Sequence, residues 1–172
     1  GENTVEDTAF IIHSRIHVNV PKAVVVLHNH MPYTTSLTLL EDGKLQMVEQ
    51  NALMFDGRIA YDTEYSGLAL DANEGDRIAS AMGECSILMM ANHGVTVTGL
   101  SVAMAFNDLY YLERAAMFQV LARSTGGQLR SIDPEVVART RTQFPQEMPK
   151  LAARHFAALK RILDREEPQY RQ

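Results

Sequence analysis

The chain has one cysteine, Cys85, among its 172 residues, so it can form no internal disulfide and offers no cysteine-based zinc cage. A lone thiol suits a reducing compartment, and the expected location is the cytoplasm. No apolar run approaches the roughly 20 residues of a membrane span. The opening Gly1-Glu2-Asn3-Thr4-Val5-Glu6-Asp7 is acidic and polar, unlike a secretory signal. Clustered basic residues are missing as well. Sixteen Lys and Arg face 21 Asp and Glu for a net charge of −5, and most of the basic residues lie in the last third, interleaved with acids. That pattern reads as a solvated helix surface and not as a nucleic-acid footprint, so neither nucleic acid nor a membrane is an expected partner. Repeats, low-complexity tracts and linkers are also lacking. One domain over residues 1–172 follows, and with 46% hydrophobic residues it can bury a real core.

Phe10, Ile11, Ile12, Ile16 and Val20 recur at helical spacing, and Pro21 closes that helix. Ala23 to Leu27 is a short apolar run rich in β-branched residues, which predicts a strand buried on both faces. Asp42-Gly43 and Asp56-Gly57 sit between apolar segments and predict turns with hairpin-like strands on either side. Asp71 to Gly83 reads as a helix, Ser86 to Met90 as a second buried strand, and Val95 to Gly99 alternates at period two. Ser101 to about Ser124 is a long amphipathic helix with a serine cap and Gly126-Gly127 as its stop. Asp133-Pro134-Glu135 opens another helix, and a last one is expected from about Met148 to Arg165. The order predicts a mixed α/β domain around one central sheet.

Three of the six histidines stand out by position. His28 and His30 end the first strand, two residues apart, and side chains two apart on a strand share a face. His93 ends another apolar run and precedes Gly94, where the backbone can turn sharply. If their strands are neighbours, three imidazoles meet at one sheet edge. Three protein ligands with an open position are the pattern of a catalytic divalent-metal site, because a structural site closes with a fourth ligand. Met31 is placed near such a metal by adjacency to His30. The other methionines read as core filling, and His155 as a surface or packing residue.

These residues also carry a resemblance. Pro21 to His30 is similar to the class II aldolase/adducin pattern P-x-x-x-x-V-x-H-x-H, and Asn92 to Gly99 to its N-H-G-x-x-x-x-G. Ser101 to Gln119, with Leu112-Glu113-Arg114-Ala115, is similar to the helix that follows. Thr8 to His17, Glu64-Tyr65-Ser66-Gly67 and Glu74-Gly75-Asp76-Arg77 resemble the adducin-like branch. The resemblance implies a three-layer α/β/α sandwich with a mainly antiparallel central sheet. It implies a homotetramer with active sites at subunit interfaces, and a divalent metal on His28, His30 and His93. Zinc is the first expectation, with manganese or iron as alternatives.

Two departures from the family matter. Its aldolases carry a proton-transfer glutamate nineteen residues before the first metal histidine, and that position here is Ala9; Glu6 and Asp7 are out of register. The family's N-terminal loops that hold a substrate phosphate or carboxylate have no counterpart ahead of Gly1, so the domain is expected to lack its N-terminal portion. An ion on three neutral imidazoles could stabilise an enolate-type intermediate, which retro-aldol cleavage and decarboxylation share. The expected activity is therefore a metal-dependent carbon–carbon lyase, an aldolase or a decarboxylase, on a small hydroxy-carbonyl or hydroxy-acid substrate. Decarboxylation gains from Ala9, since it needs no base to deprotonate a hydroxyl. The candidate proton donors are His13, Tyr65 and Glu64. Packing stays open as an alternative for His13 with His17, and a loop role for Tyr65. An epimerase, a ferrous-iron oxygenase or a non-catalytic adducin-like interaction domain remain alternatives for the whole.

Overall fold

The computed structural model describes residues 4–171, so Gly1-Glu2-Asn3 of the polar opening lie outside it, as does the side chain of Pro145. Helix α1 (Asp7–Asn19) leads to strand β1 (Val25–Asn29) and a short helix α2 (Pro32–Thr38). After a 3-10 turn (Ala52–Phe55) come β2 (Ile59–Asp62), α3 (Ala72–Met82), β3 (Ile87–Met90) and β4 (Gly94–Gly99). Two long helices follow, α4 (Val102–Ser124) and α5 (Pro134–Glu166), and a 3-10 turn (Pro168–Arg171).

The four strands form one sheet in the order β1-β4-β3-β2. β4 runs antiparallel to both β1 and β3, and only β2 and β3 are parallel. Alternation along the strands divides the core in two. Val26, Leu88 and Met90 pack with Ile12, Ile16, Ile78, Ala79 and Met82 of α1 and α3. Ile87, Met89, Val95 and Val97 face the other way, onto Leu37, Phe55, Leu112, Ala115 and Ala116. The result is the expected three-layer α/β/α sandwich with a mainly antiparallel sheet. Among the described residues no helix is long and apolar enough to cross a membrane.

Three local expectations are corrected. Asp42-Gly43 makes no hairpin: the chain around it is tied to the Gln119 side chain, which accepts from Gln46 N at 2.7 Å and donates to Lys44 O at 2.9 Å. Asp56-Gly57 does turn the chain into β2, with Gly57 at φ 71°, but a 3-10 helix and not a strand precedes it. The two predicted C-terminal helices are one, running through Pro145 and Pro149. An internal proline costs a helix roughly 3 kcal/mol. Phe144, Met148 and Ala152 hold this one by packing against the rest of the domain.

A histidine triad at the sheet edge

Each residue of Asn92-His93-Gly94 has a physical reason for its place. Met90 pairs with Gly94, so Ala91, Asn92 and His93 are the whole loop between β3 and β4. Asn92 sits at φ 56°, a left-handed conformation that asparagine tolerates better than most residues. Its N–H donates to Thr38 O at 3.0 Å, and Ala91 N donates to Asp62 O at 2.8 Å, which ties the loop to α2 and β2. Gly94 is required by close approach. A Cβ there would lie 2.6 Å from Asn29 O and 2.7 Å from His30 Cδ2. At the far end of β4, a Cβ on Gly99 would lie 3.0 Å from Ala105 N, so the second glycine of the motif lets α4 seat on the strand.

The loop carries His93 to the end of β1. β1 neighbours β4, the strand that follows His93, and is separated from β3, the strand before it; proximity comes from the hairpin and not from adjacent strand ends. The three ring centroids lie 4.8–5.1 Å apart, and one nitrogen from each of His28, His30 and His93 falls within 4.8 Å of the others. Among the described residues this is the group of histidine, cysteine and acidic side chains arranged to hold a metal ion.

The donor set fits a divalent ion. His28 pairs across to Thr96, and its Nδ1–H donates to Val95 O at 3.2 Å, with Thr96 Oγ1 also at 3.2 Å. That bond fixes the tautomer and leaves the Nε2 lone pair free to bind. His28 Nε2 lies 3.3 Å from His30 Nε2. Ligand nitrogens about 2.1 Å from a tetrahedral ion stand about 3.4 Å apart, so this spacing suits one shared ion. Burial pushes the His28 imidazole down to about 4, helped by the neighbouring His93 and His30 and opposed by the Val95 bond. Burial and then His30 also lower His93, while Asp62 and Glu74 pull it upward. His28 is therefore neutral near pH 7, as a metal ligand must be.

A cleft of about 170 Å³ opens beside the triad, lined by Thr8 and Ile12 of α1, the Tyr65–Ala69 loop, His30, Asn92 and His93. Tyr65 comes to the site, half exposed, with its ring centroid 6.2 Å from that of His93. His13 is partly buried on α1, close enough for its charge to lower His28. His17 is held elsewhere, its Nδ1–H donating to Ala23 O at 2.8 Å. Glu64 is exposed, and its carbonyl accepts a long bond from Arg77 at 3.5 Å. Met31 does not turn to the triad; it packs into the core on the α4 side of the sheet. His155 is a packing residue as expected, bonded to Asn107 Oδ1 at 3.0 Å and in contact with the rings of Tyr110 and Tyr111.

Ala9 places no carboxylate at the cleft, and the nearby Glu6 faces its own helix, capping Ala9 N at 2.7 Å and accepting from Thr8 Oγ1 at 2.6 Å. The residues that spacing alone misses are Asp62, Glu74 and Arg77. Arg77 bridges the two carboxylates, 2.9 Å from Asp62 Oδ1 and 2.8 Å from Glu74 Oε1, and both acids act on His93. Arg77 also lies 2.9 Å from Asp62 Oδ2, but at an angle too poor for a hydrogen bond, so that buried oxygen has no donor. A signal was present in Asp62, a lone charge ending an apolar strand, and in the cap pair Asp71 and Glu74.

Comparison with known proteins gives the same pattern a family. Residues 2–120 match the family described as Class II Aldolase and Adducin N-terminal domain. A Caulobacter vibrioides protein named "Putative aldolase class 2 protein" is 30% identical over 167 residues, covering 96% of this chain and 64% of that protein. Beta-adducin from Homo sapiens is 31% identical over 175 residues, covering 93% of this chain and 23% of the adducin. The crystal structure of an aldolase II superfamily protein from Pseudomonas syringae aligns with a TM-score of 0.87 at 34% identity, covering 96% of this chain and 66% of that one. The chain thus spans just under two thirds of the length of these bacterial relatives. It belongs to the class II aldolase and adducin family.

Proposed function

We propose that this chain carries the metal centre of a divalent-metal-dependent carbon–carbon lyase, an aldolase or a decarboxylase, acting on a small hydroxy-carbonyl or hydroxy-acid substrate. The observation that carries the reading is the convergence of three imidazole nitrogens within 4.8 Å at the mouth of a cleft. A divalent ion, zinc first among the candidates, would be held by His28, His30 and His93 and would supply a Lewis acid for negative charge developing on a substrate oxygen. The chain's own residues do the rest. Val95 O holds the His28 ring in one tautomer. Ile12, Leu68 and Ala69 give the cleft an apolar wall.

Tyr65 is the proposed proton donor, and His13 the second candidate. When a carboxyl group leaves as carbon dioxide, the electron pair stays on the substrate carbon and the Tyr65 hydroxyl proton closes that valence; water then returns a proton to the phenolate. Such a step needs no carboxylate base, which agrees with Ala9. The proposed assembly is a homotetramer with the site at a subunit interface. Leu68 and Leu70, beside the cleft, are 69% and 64% exposed, and a neighbouring subunit would cover them.

Metal analysis of the purified protein tests the reading. About one equivalent of a transition metal per chain, lost in His28→Ala, is expected. Less than about 0.2 equivalents, unchanged by that substitution, would sink the proposal. A panel of hydroxy acids and aldols assayed with and without oxygen then tests the reaction class, since strict dependence on oxygen would refute a lyase. In that assay Tyr65→Phe lowers kcat by about 10²–10⁴ at unchanged metal content if the phenol is the donor.

A further inference from the structure

His30 is the exposed member of the triad, and its ring has one polar contact among the described residues, the 3.3 Å approach to His28. The place and direction in which that imidazole leaves the chain are set by the backbone on either side of it. Before it, Asn29 is locked in the β1–β4 ladder opposite Val95. After it, the chain enters α2 with an unusual start: Met31 makes no side-chain cap, and Pro32 has no N–H. The next two N–H groups both donate to one carboxylate on α4. Tyr33 N reaches Glu113 Oε1 at 2.9 Å, and Thr34 N reaches Oε2 at 2.8 Å. The Thr34 hydroxyl adds a third bond to Oε2 at 2.6 Å.

Only residues 30 to 32 lie between the two anchors, and two of them have little freedom. Pro32 has a fixed φ, and Met31, preceding a proline, is confined to the extended region where it is found, at φ −69° and ψ 141°. Gly94 passes close to the ring on one side. We propose that Glu113 is a positioning residue for His30: its carboxylate fixes the backbone from which the third imidazole is presented to the ion. This rests on the metal-site reading above. Glu113 acts through α2 and has no direct part in binding the ion.

A helix cap that merely stabilises the fold would also bond this way, and α4 supplies its own control. Gln119, on the same helix, ties down the loop at Lys44 and Gln46, which contributes nothing to the triad. Glu113→Gln turns one acceptor oxygen into an amide N–H2 facing donors; Gln119→Leu removes both bonds of the other tie. Zinc affinity, measured by competition with a chromophoric chelator, should fall by about 10–100-fold in Glu113→Gln and stay unchanged in Gln119→Leu. In metal-free protein, the nitrogen resonances of the His30 imidazole should shift or broaden in Glu113→Gln alone. If Glu113→Gln does not fold, Thr34→Val, which removes one of the three bonds, takes its place with a smaller loss.

Equal losses of zinc affinity in the two variants, tracking their melting temperatures, would overturn the proposal. So would unchanged affinity in both. A wild-type protein that holds no zinc at all refutes the metal-site reading by itself. The positioning claim is then decided by the His30 resonances of the metal-free proteins, and an undisturbed His30 in Glu113→Gln would overturn it.

Discussion

Gly94→Ala puts the smallest possible perturbation at the point where β4 passes the triad. The backbone there needs no left-handed conformation, so the cost is steric alone. The new Cβ would stand 2.6 Å from Asn29 O and 2.7 Å from His30 Cδ2. Carbon atoms rest comfortably at about 3.5–4.0 Å, so the His30 ring must retreat by roughly 0.8 Å, and the Asn29 carbonyl contact forces β4 to part from β1 as well. Metal–ligand distances tolerate about 0.2 Å, a quarter of that displacement. Overpacking of this kind costs about 1–3 kcal/mol, and each kcal/mol lowers Tm by roughly 2–4 °C in a domain of this size.

The metal-free protein should therefore melt roughly 2–12 °C lower, and zinc affinity should fall at least about tenfold because the ligand nitrogen is displaced. Thermal melts and chelator competition read the two effects separately. Gly127→Ala is the control: its Cβ would meet only Thr125 Oγ1, at 3.2 Å, and neither quantity should move much. A Gly94→Ala protein with wild-type zinc affinity and a Tm within about 1 °C of wild type would refute the close-approach argument, and with it the reason offered for glycine in the Asn92-His93-Gly94 motif.

Two further expectations concern the charges around the triad. Arg77→Met strands Asp62, whose side chain is 5% exposed, and should lower stability by about 2–3 kcal/mol in urea unfolding; a loss below about 0.5 kcal/mol would show that Asp62 does not need the arginine. The His13 imidazole is lowered by burial and by the nearby His17, so the folded chain stays neutral there while the unfolded chain takes up a proton near its usual 6.5. Because the unfolded state then binds more protons, stability is intact above about pH 6.5 and falls as the pH drops below it. Urea midpoints of EDTA-treated protein between pH 7.5 and 5.5 should decline less steeply in His13→Gln than in wild type, and parallel slopes would show that His13 is not shielded.

The parts of this molecule legible in the sequence are those whose cause is local. α1, α3 and α4 announce themselves by apolar spacing, and α4 also by its Ser101 cap, which the structure uses. The triad was legible because His28 and His30 stand together at the end of β1, and because His93 ends an apolar run beside Gly94, where β4 begins. What stayed hidden depends on partners far along the chain. α2 is built from Pro-Tyr-Thr-Thr-Ser-Leu-Thr, a poor helix by propensity; Glu113, about eighty residues away in sequence, satisfies its first turn. Asp42-Gly43 carries a hairpin signal, but Gln119 takes the backbone groups a strand would have used.

The same distinction bears on the proton donor. The resemblance implies that Ala9 stands at the position of the family glutamate, and leaves open whether another carboxylate has moved in. Three acids near the cleft could have done so. Glu6 faces back onto the first turn of α1, where Thr8 and Ala9 hold its carboxyl below the usual range. Glu74 is held down in the same way by Arg77, and Asp62 shares that arginine. A carboxylate already bonded to a cation or to backbone N–H groups is a weak base, because its charged form is the one being stabilised. Base chemistry by Glu6 or Glu74 would first have to break those bonds. Tyr65, half exposed on the cleft wall, has no such commitment among the described residues. This agrees with the proposed reading, in which the protein gives a proton and need not first take one.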